Sequence, residues 1–295
     1  MPELPEVETV RRDLLKHLIG AVFQDIKIIN FKNVAPRAAF LAKFLQAKKI
    51  KDISRRGKLL IVQLEAVKDF PYLLFHLKMT GQLIYQDNKS SLFGGHSLSN
   101  QSFEAAVGGS LPNKFTRAYF SFKQGGFLFF NDLRKFGYIK LASASQLQEI
   151  LANNYGPEPL EKEFNLEYLT QILKNKTAPI KAVILNQKLI AGLGNIYADE
   201  ALFRSQIKPW RQAKSLSLSE RKKLLEVIRE VIKAAIKARG TTFRNFVDAR
   251  GEKGNFMQQL QVYQRQGQLC LVCGDVILKK KIAGRGTHYC PTCQK

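Results

Sequence analysis

Leu59-Leu60-Ile61-Val62 and Tyr72-Leu73-Leu74-Phe75 decide how the first half of this chain is read. Each run is short, branched or aromatic, and bounded by turn residues, which is the pattern of a strand. Phe127-Leu128-Phe129-Phe130 repeats it further on. From Phe23 to about Leu141 the chain therefore reads as antiparallel strands packed into a sandwich or barrel. A short helix is expected at Ala38 to Ala47. The stretch from Asp87 to Asn113 is rich in Ser, Gly and Asn and holds no sustained period, so it reads as a long mobile loop.

Helices flank this β-rich region. Pro5 to Ile19 carries Val7, Val10, Leu14 and Leu18 on one stripe, with Pro5 suited to a helix start and Gly20 to its end. Glu3, Glu6 and Glu8 sit at or before its first turn, where carboxylates complement the helix dipole. Residues 143–165 contain Gly156, Pro157 and Pro159 and read as a domain junction. Beyond it the pattern is helical. Ser217 and Glu220 form a capping box before a helix that Gly240 stops. Ile190-Ala191-Gly192-Leu193-Gly194-Asn195 is a tight glycine turn between two helical patterns.

The four cysteines are Cys270, Cys273, Cys290 and Cys293. Two C-x2-C pairs at this separation suit a tetrahedral shell of four thiolates around one structural zinc ion, closed to chemistry. A pair of redox motifs is the alternative, but no strand-helix pattern surrounds them. The 295 residues suggest two domains, and 45% hydrophobic content excludes wholesale disorder. No apolar run approaches a membrane span, and the acidic, proline-containing N-terminus does not resemble a signal peptide. A soluble, cytoplasmic protein is expected. The net charge of +23 points to a polyanionic partner, above all nucleic acid.

The usual hydrolase and nucleotide-binding patterns are missing: the four histidines pair with no Ser or Cys nucleophile motif, and there is no Walker or Rossmann glycine pattern. Pro2 is the unusual feature. Its small size permits removal of Met1, which would leave a free secondary amine. An α-amino group has a pKa near ~8, so about a tenth is free base at neutral pH. Such an amine can attack an aldehyde-level carbon and form an iminium ion. Glu3 and Glu6 would supply an acid or base nearby. The alternative is that Pro2 is a rigid lead into the helix.

At this point a family resemblance stands out. MPELPEVETV resembles the N-terminus of the formamidopyrimidine-DNA glycosylases, bacterial enzymes that remove oxidised purines. It is joined by RRGK at Arg55–Lys58, HLKMTG at His76–Gly81, NDLRKFG at Asn131–Gly137 and YGPEPL at Tyr155–Leu160. IAGLGNIYADEALF at Ile190–Phe203, GTTFRNFVD at Gly240–Asp248 and the finger with GRGTHYCPTC complete the series in order. The resemblance implies an α+β protein: an N-terminal antiparallel β-sandwich with flanking helices, then a helical helix-two-turn-helix domain with a four-cysteine zinc finger. The implied divisions are 1–145 for the catalytic domain with 87–113 as its loop, 146–165 as linker, 166–262 as the DNA-binding domain and 263–295 as the finger.

It also implies a chemistry. Pro2 would attack C1′ of the damaged nucleotide, expel the base, and cut the strand by β- and δ-elimination. Glu3 matches the catalytic acid, Glu6 a supporting carboxylate, and Lys58 a lysine of lesion processing and phosphate contact. Met79, Arg134 and Phe136 match three residues that fill the space left by the everted lesion. A thioether, a guanidinium able to bond the orphaned cytosine and an aromatic wedge suit that task. Met79 and Phe136 would otherwise be strand core. Asn195, Arg285, Lys181 and His76 match backbone-contacting positions, although Asn195 also suits a polar helix cap and His76 a satisfied core histidine. Thr241, Thr242, Phe243, Arg244, Asn245 and Phe246 match the loop that closes over the base. Leu133, Lys135 and His288 depart from the common family pattern. The implied partner is damaged double-stranded DNA, bound by a monomer associated with the nucleoid. Two other readings stay open: the sister class acting on oxidised pyrimidines, which Leu4 argues against, and a non-catalytic zinc protein that binds DNA.

Overall fold

The computed structural model describes residues 2–95, 97–99, 102–241 and 256–295. The chain forms two compact units: Met1–Ala152 with Ala238–Asn255, and Asn153–Lys237 with Phe256–Lys295. In the first unit α1 (Leu4–Leu18) leads into β1 (Phe23–Ile28), β2 (Val34–Ala35), α2 (Ala38–Leu45), β3 (Ile50–Arg56), β4 (Leu59–Leu64) and β5 (Tyr72–His76). Then come β6 (Gly81–Gln86), β7 (Ser91–Gly95), α3 (Phe103–Val107), β8 (Thr116–Phe122), β9 (Phe127–Asp132) and β10 (Tyr138–Ala142). The helix α4 (Ala144–Asn154) follows.

The strands form two five-stranded sheets, in the orders β1-β8-β9-β6-β7 and β2-β10-β5-β4-β3. Their pairings are antiparallel except for the short β2, which runs parallel to β10. The runs that decided the sequence reading pair directly, with Ile61 opposite Leu74 and Val62 opposite Leu73. Strand periodicity then sorts each run between faces. Leu128 and Phe130 join the main core with Leu60, Val62, Leu73 and Phe75, and so does the α1 stripe of Val7, Val10, Leu14 and Leu18. Phe129 faces the other way.

That second face corrects the reading of 87–113 as a long mobile loop. The segment contains β7, paired with β6, and α3. Phe93, Ala106 and Val107 cover Ile84 and Phe129 in a small separate core. Ser102 caps α3 by accepting from the Ala105 N–H (3.1 Å). The far end is held by buried sheet side chains: Gln82 Nε2 donates to Ala106 O (2.8 Å) and Asn131 Nδ2 to Val107 O (3.1 Å). A polar-rich sequence hides this order because only a few of its apolar side chains need to meet an already formed sheet face. The expected linker 146–165 begins as the body of α4, and the division between the two units falls inside it, after Ala152.

The second unit contains α5 (Leu166–Leu173), α6 (Ile180–Ile184), α7 (Asn195–Arg204) and α8 (Leu218–Lys237), followed by the hairpin β11 (Leu278–Ile282) and β12 (Arg285–Tyr289). The expected capping box forms at α8: Ser217 N–H donates to Glu220 Oε2 (2.8 Å), and Glu220 N–H to Ser217 Oγ (3.2 Å). Glu200 on α7 accepts the backbone N–H groups of Gln261, Val262 and Tyr263 at 2.9 to 3.0 Å, fixing the approach to the finger. Among the described residues no helix is long and apolar enough to cross a membrane.

Candidate active site

The N-terminus of α1 brings the acidic residues to one buried point. Glu3 is the N-cap, and its N–H donates to Glu6 Oε2 (2.9 Å) in a reciprocal capping box. Leu4 opens the helix and Pro5 follows, one position later than the sequence suggested. Pro2, Glu3 and Glu6 are all buried. The other oxygen of Glu6 accepts from the backbone N–H of Thr241 (2.8 Å) and from its hydroxyl (3.1 Å). Gly240 makes this approach possible. Its φ is +80°, and a Cβ there would sit 2.6 Å from Glu6 Oε1. One carboxylate thus joins the backbone of Glu3 to Thr241, and Arg239 adds an ion pair to Asp13 (2.5 Å). Thr242, Phe243, Arg244, Asn245 and Phe246 lie outside the described residues.

Lys58 is buried in the two-residue turn between β3 and β4. Gly57 precedes it with φ +56°, the left-handed conformation that a tight hairpin needs at its first central position. The turn is tied to α1 through Glu8. Its carboxylate accepts from Arg11, Arg12 and Arg55 at 2.7 to 3.0 Å, and Arg55 Nη1 donates onward to Gly57 O (3.1 Å). Burial pushes the Glu8 carboxyl up, but hydrogen bonds from Arg11 and Arg55, the Arg55 charge and Arg12 together bring it to about 2. The sequence reading gave Glu8 only a dipole role; Arg11 and Arg12 stand three and four residues on, at the spacing of helical ion pairs, but nothing local showed that Arg55 joins them.

His76 ends β5 half-buried, and its Nδ1 accepts from the Lys78 N–H (3.0 Å), which leaves the proton on Nε2. Burial first, and then the charges of Lys78 and Lys58, hold its pKa down at about 3. It is therefore a neutral donor at physiological pH. Met79 is half-buried after it, while Arg134 and Phe136 are exposed. Phe136 is 51% exposed, so the core alternative does not hold for it. The Arg134 guanidinium lies 4.6 Å from the Phe136 ring centroid, a cation–π pair presented to solvent.

In the second unit Gly194 is the N-cap of α7, with no side-chain cap bond, and Asn195 is the first helical residue, so the polar-cap alternative does not hold for Asn195. Asn195 Nδ2 donates to Gly286 O (3.0 Å). Arg285 is exposed and opens β12 directly after the Ala283-Gly284 turn, where both residues have positive φ. Lys181, expected as a further basic position gripping DNA near the site, is turned inward. It is wholly buried, with Nζ 2.5 Å from Asp199 Oδ1 and 2.7 Å from Thr287 Oγ1. Asp199 Oδ2 also accepts the His288 N–H (2.9 Å) and faces His288 Nδ1 (3.2 Å). The departure at His288 therefore has a partner in α7.

The four cysteine sulfurs all lie within 4.8 Å of one another, with Cys270–Cys293 at 3.8 Å and Cys273–Cys290 at 3.4 Å. Tetrahedral Zn–S bonds of about 2.3 Å require sulfur separations of about 3.8 Å, so the donor set fits zinc. Every position of the shell would be a protein thiolate, which leaves the ion a structural role.

Comparison with known proteins agrees with this arrangement along the whole chain. Residues 1–139 match the Formamidopyrimidine-DNA glycosylase N-terminal domain, residues 155–247 the Formamidopyrimidine-DNA glycosylase H2TH domain, and residues 267–295 the zinc finger found in FPG and IleRS. A formamidopyrimidine-DNA glycosylase from Pelotomaculum thermopropionicum is 40% identical over 100% of this chain and 99% of its own. One from Carboxydothermus hydrogenoformans is 38% identical, with both chains fully covered. The Lactococcus lactis Fpg bound to DNA containing an abasic site superposes with a TM-score of 0.85, at 36% identity and 99% coverage of each chain. A point mutant of the Lactococcus lactis protein in complex with Fapy-dG DNA gives the same TM-score and identity, covering 100% of both chains. The chain belongs to the formamidopyrimidine-DNA glycosylase family.

Proposed function

We propose that this enzyme is a bifunctional DNA glycosylase and abasic-site lyase that removes 8-oxoguanine and formamidopyrimidines from duplex DNA through an iminium on Pro2. The observation that carries this reading is the buried N-terminal turn, where the candidate nucleophile is followed by a carboxylate N-cap and held by the Glu3–Glu6 reciprocal bonds. Family membership supports the reaction class, and the relatives' complexes with Fapy-dG and abasic-site DNA support the substrate class.

The steps balance within this residue set. With Met1 removed, the Pro2 nitrogen lone pair attacks C1′ as the bond from C1′ to the base breaks, and the N–H proton then leaves the nitrogen for the departing base, which restores the lone pair. Glu3 gives its proton to the sugar ring oxygen, and the C1′–O4′ bond opens as the nitrogen lone pair forms the iminium. The Glu3 carboxylate left by that transfer takes a C2′ proton, which expels the 3′ phosphate, and loss of a C4′ proton in a second elimination expels the 5′ phosphate. Lys58, Asn195, Arg285 and neutral His76 hold backbone phosphates. Met79, Arg134 and Phe136 take the place of the everted nucleotide, and Glu6 anchors Thr241 at the start of the base-closing loop. Zinc on Cys270, Cys273, Cys290 and Cys293 would hold the strand that carries Arg285. One chain suffices as a monomer.

Borohydride trapping tests the reading. Incubation with a duplex carrying 8-oxoguanine opposite cytosine, reduction and peptide mapping should place the adduct on Pro2. An adduct on a lysine, or retention of Met1 in active enzyme, would refute the assignment. Faster excision of thymine glycol than of 8-oxoguanine would favour the sister class.

A further inference from the structure

Two separate loops present the void-filling residues, and one buried anchor joins them. Met79 lies between β5 and β6, whereas Arg134 and Phe136 lie between β9 and β10. Gly81, the first residue of β6, pairs with Asp132, the last of β9, so the loops leave the same end of two neighbouring strands. Thr80 Oγ1 donates to Asp132 Oδ1 (2.5 Å) and accepts the Arg134 N–H (3.0 Å). Asp132 Oδ1 also accepts that N–H (3.2 Å), and Oδ2 accepts the Gly137 N–H (2.7 Å). The carboxylate is wholly buried and the threonine nearly so. One side chain therefore closes the Leu133–Phe136 turn at both ends, and its neighbour fixes that turn to Met79.

The backbone needs such holding. Lys78 has φ +48° and Lys135 φ +58°, left-handed conformations in which a lysine gains nothing by itself. Asn33 Nδ2 adds bonds to Lys135 O (2.8 Å) and Gly137 O (3.1 Å). The exposed ends carry the function while the buried ends carry the geometry. Everting a nucleotide opens a gap in the stack, and the gap is filled at low entropic cost only if the filling side chains are held in place beforehand.

We propose that Thr80 and Asp132 are positioning residues for base eversion, acting through the placement of Met79, Arg134 and Phe136. The assignment rests on the functional reading above. It predicts a split between two substrates, since a preformed abasic nucleotide has no base to pull from the stack. Single-turnover rates should be measured on an 8-oxoguanine duplex and on an abasic duplex. Thr80→Val keeps the side-chain volume and removes both hydroxyl bonds. The ratio of glycosylase rate to lyase rate should fall about tenfold, equivalent to about 1.4 kcal/mol at 25 °C. Thr80→Ser should restore the ratio to within about twofold, and Asp132→Asn should lower it. An unchanged ratio in an active Thr80→Val enzyme, or an equal fall in both rates that Thr80→Ser does not rescue, overturns the assignment alone. A wild-type enzyme inert on both duplexes overturns the functional reading as well.

Discussion

Replacing Glu8 with glutamine should cost the first unit about 2 kcal/mol at neutral pH. The carboxylate bonds three arginines at 2.7 to 3.0 Å and is lowered from 4.5 to about 2. A shift of that size corresponds to a ceiling of about 3 kcal/mol. Arg12 is 54% exposed and Arg11 25%, so solvent screening takes part of it. Arg55, at 11%, keeps most of its contribution. The sign follows from a folded pKa below the unfolded one: the contribution is complete above about 4.5 and lost as pH falls toward about 2. Urea unfolding of wild type and Glu8→Gln, from about pH 7 down to about pH 3, should give a gap that is constant near neutrality and narrows below about 4.5. No gap at neutral pH, or one that stays undiminished in acid, would falsify the account of Glu8 as an ionised hub. Because Arg55 also bonds Gly57, the variant should loosen the Lys58 turn and slow lesion processing.

Two further outcomes follow from the second unit. Lys181→Met leaves Asp199 buried with its main cationic partner removed and should destabilise by about 3 kcal/mol or more in urea unfolding, whereas Lys181→Met,Asp199→Leu should recover part of the loss; an unaltered midpoint in Lys181→Met would show that the pair carries no stability. Metal analysis should find one zinc per chain. Its removal by a strong chelator should lower both the thermal midpoint and the affinity for DNA, and unaltered binding by metal-free protein would detach Arg285 from the grip on phosphate.

Much of the architecture was legible because its signals are local. Strand runs, the α1 stripe, the Ser217–Glu220 box and the cysteine spacing each report a short-range preference, and each formed as read. The segment 87–113 was misread for the converse reason. Its strand and helix are stabilised by Ile84 and Phe129 on strands that bracket it, which its own composition does not reveal. HLKMTG and NDLRKFG held Thr80 and Asp132 in plain view, yet their contact spans fifty-two positions.

The sequence by itself determined the chemical inventory: a potential N-terminal secondary amine, adjacent carboxylates, four thiolates at zinc spacing and an excess of positive charge. It also determined the family, since ordered motifs run along the whole chain. Only the tertiary structure decided which charges serve structure and which face solvent. Lys181 and Arg285 are both basic residues in basic surroundings, but one is sealed against Asp199 and the other is exposed. Likewise Glu3, Glu6 and Glu8 look alike in sequence, yet they become a helix cap, a bridge to Thr241 and an arginine hub. The Glu3 cap is local, but the bridge to Thr241, the Arg55 arm of the hub and the sealing of Lys181 depend on partners distant along the chain, and burial makes each such pairing strong because it removes the water that would otherwise screen it.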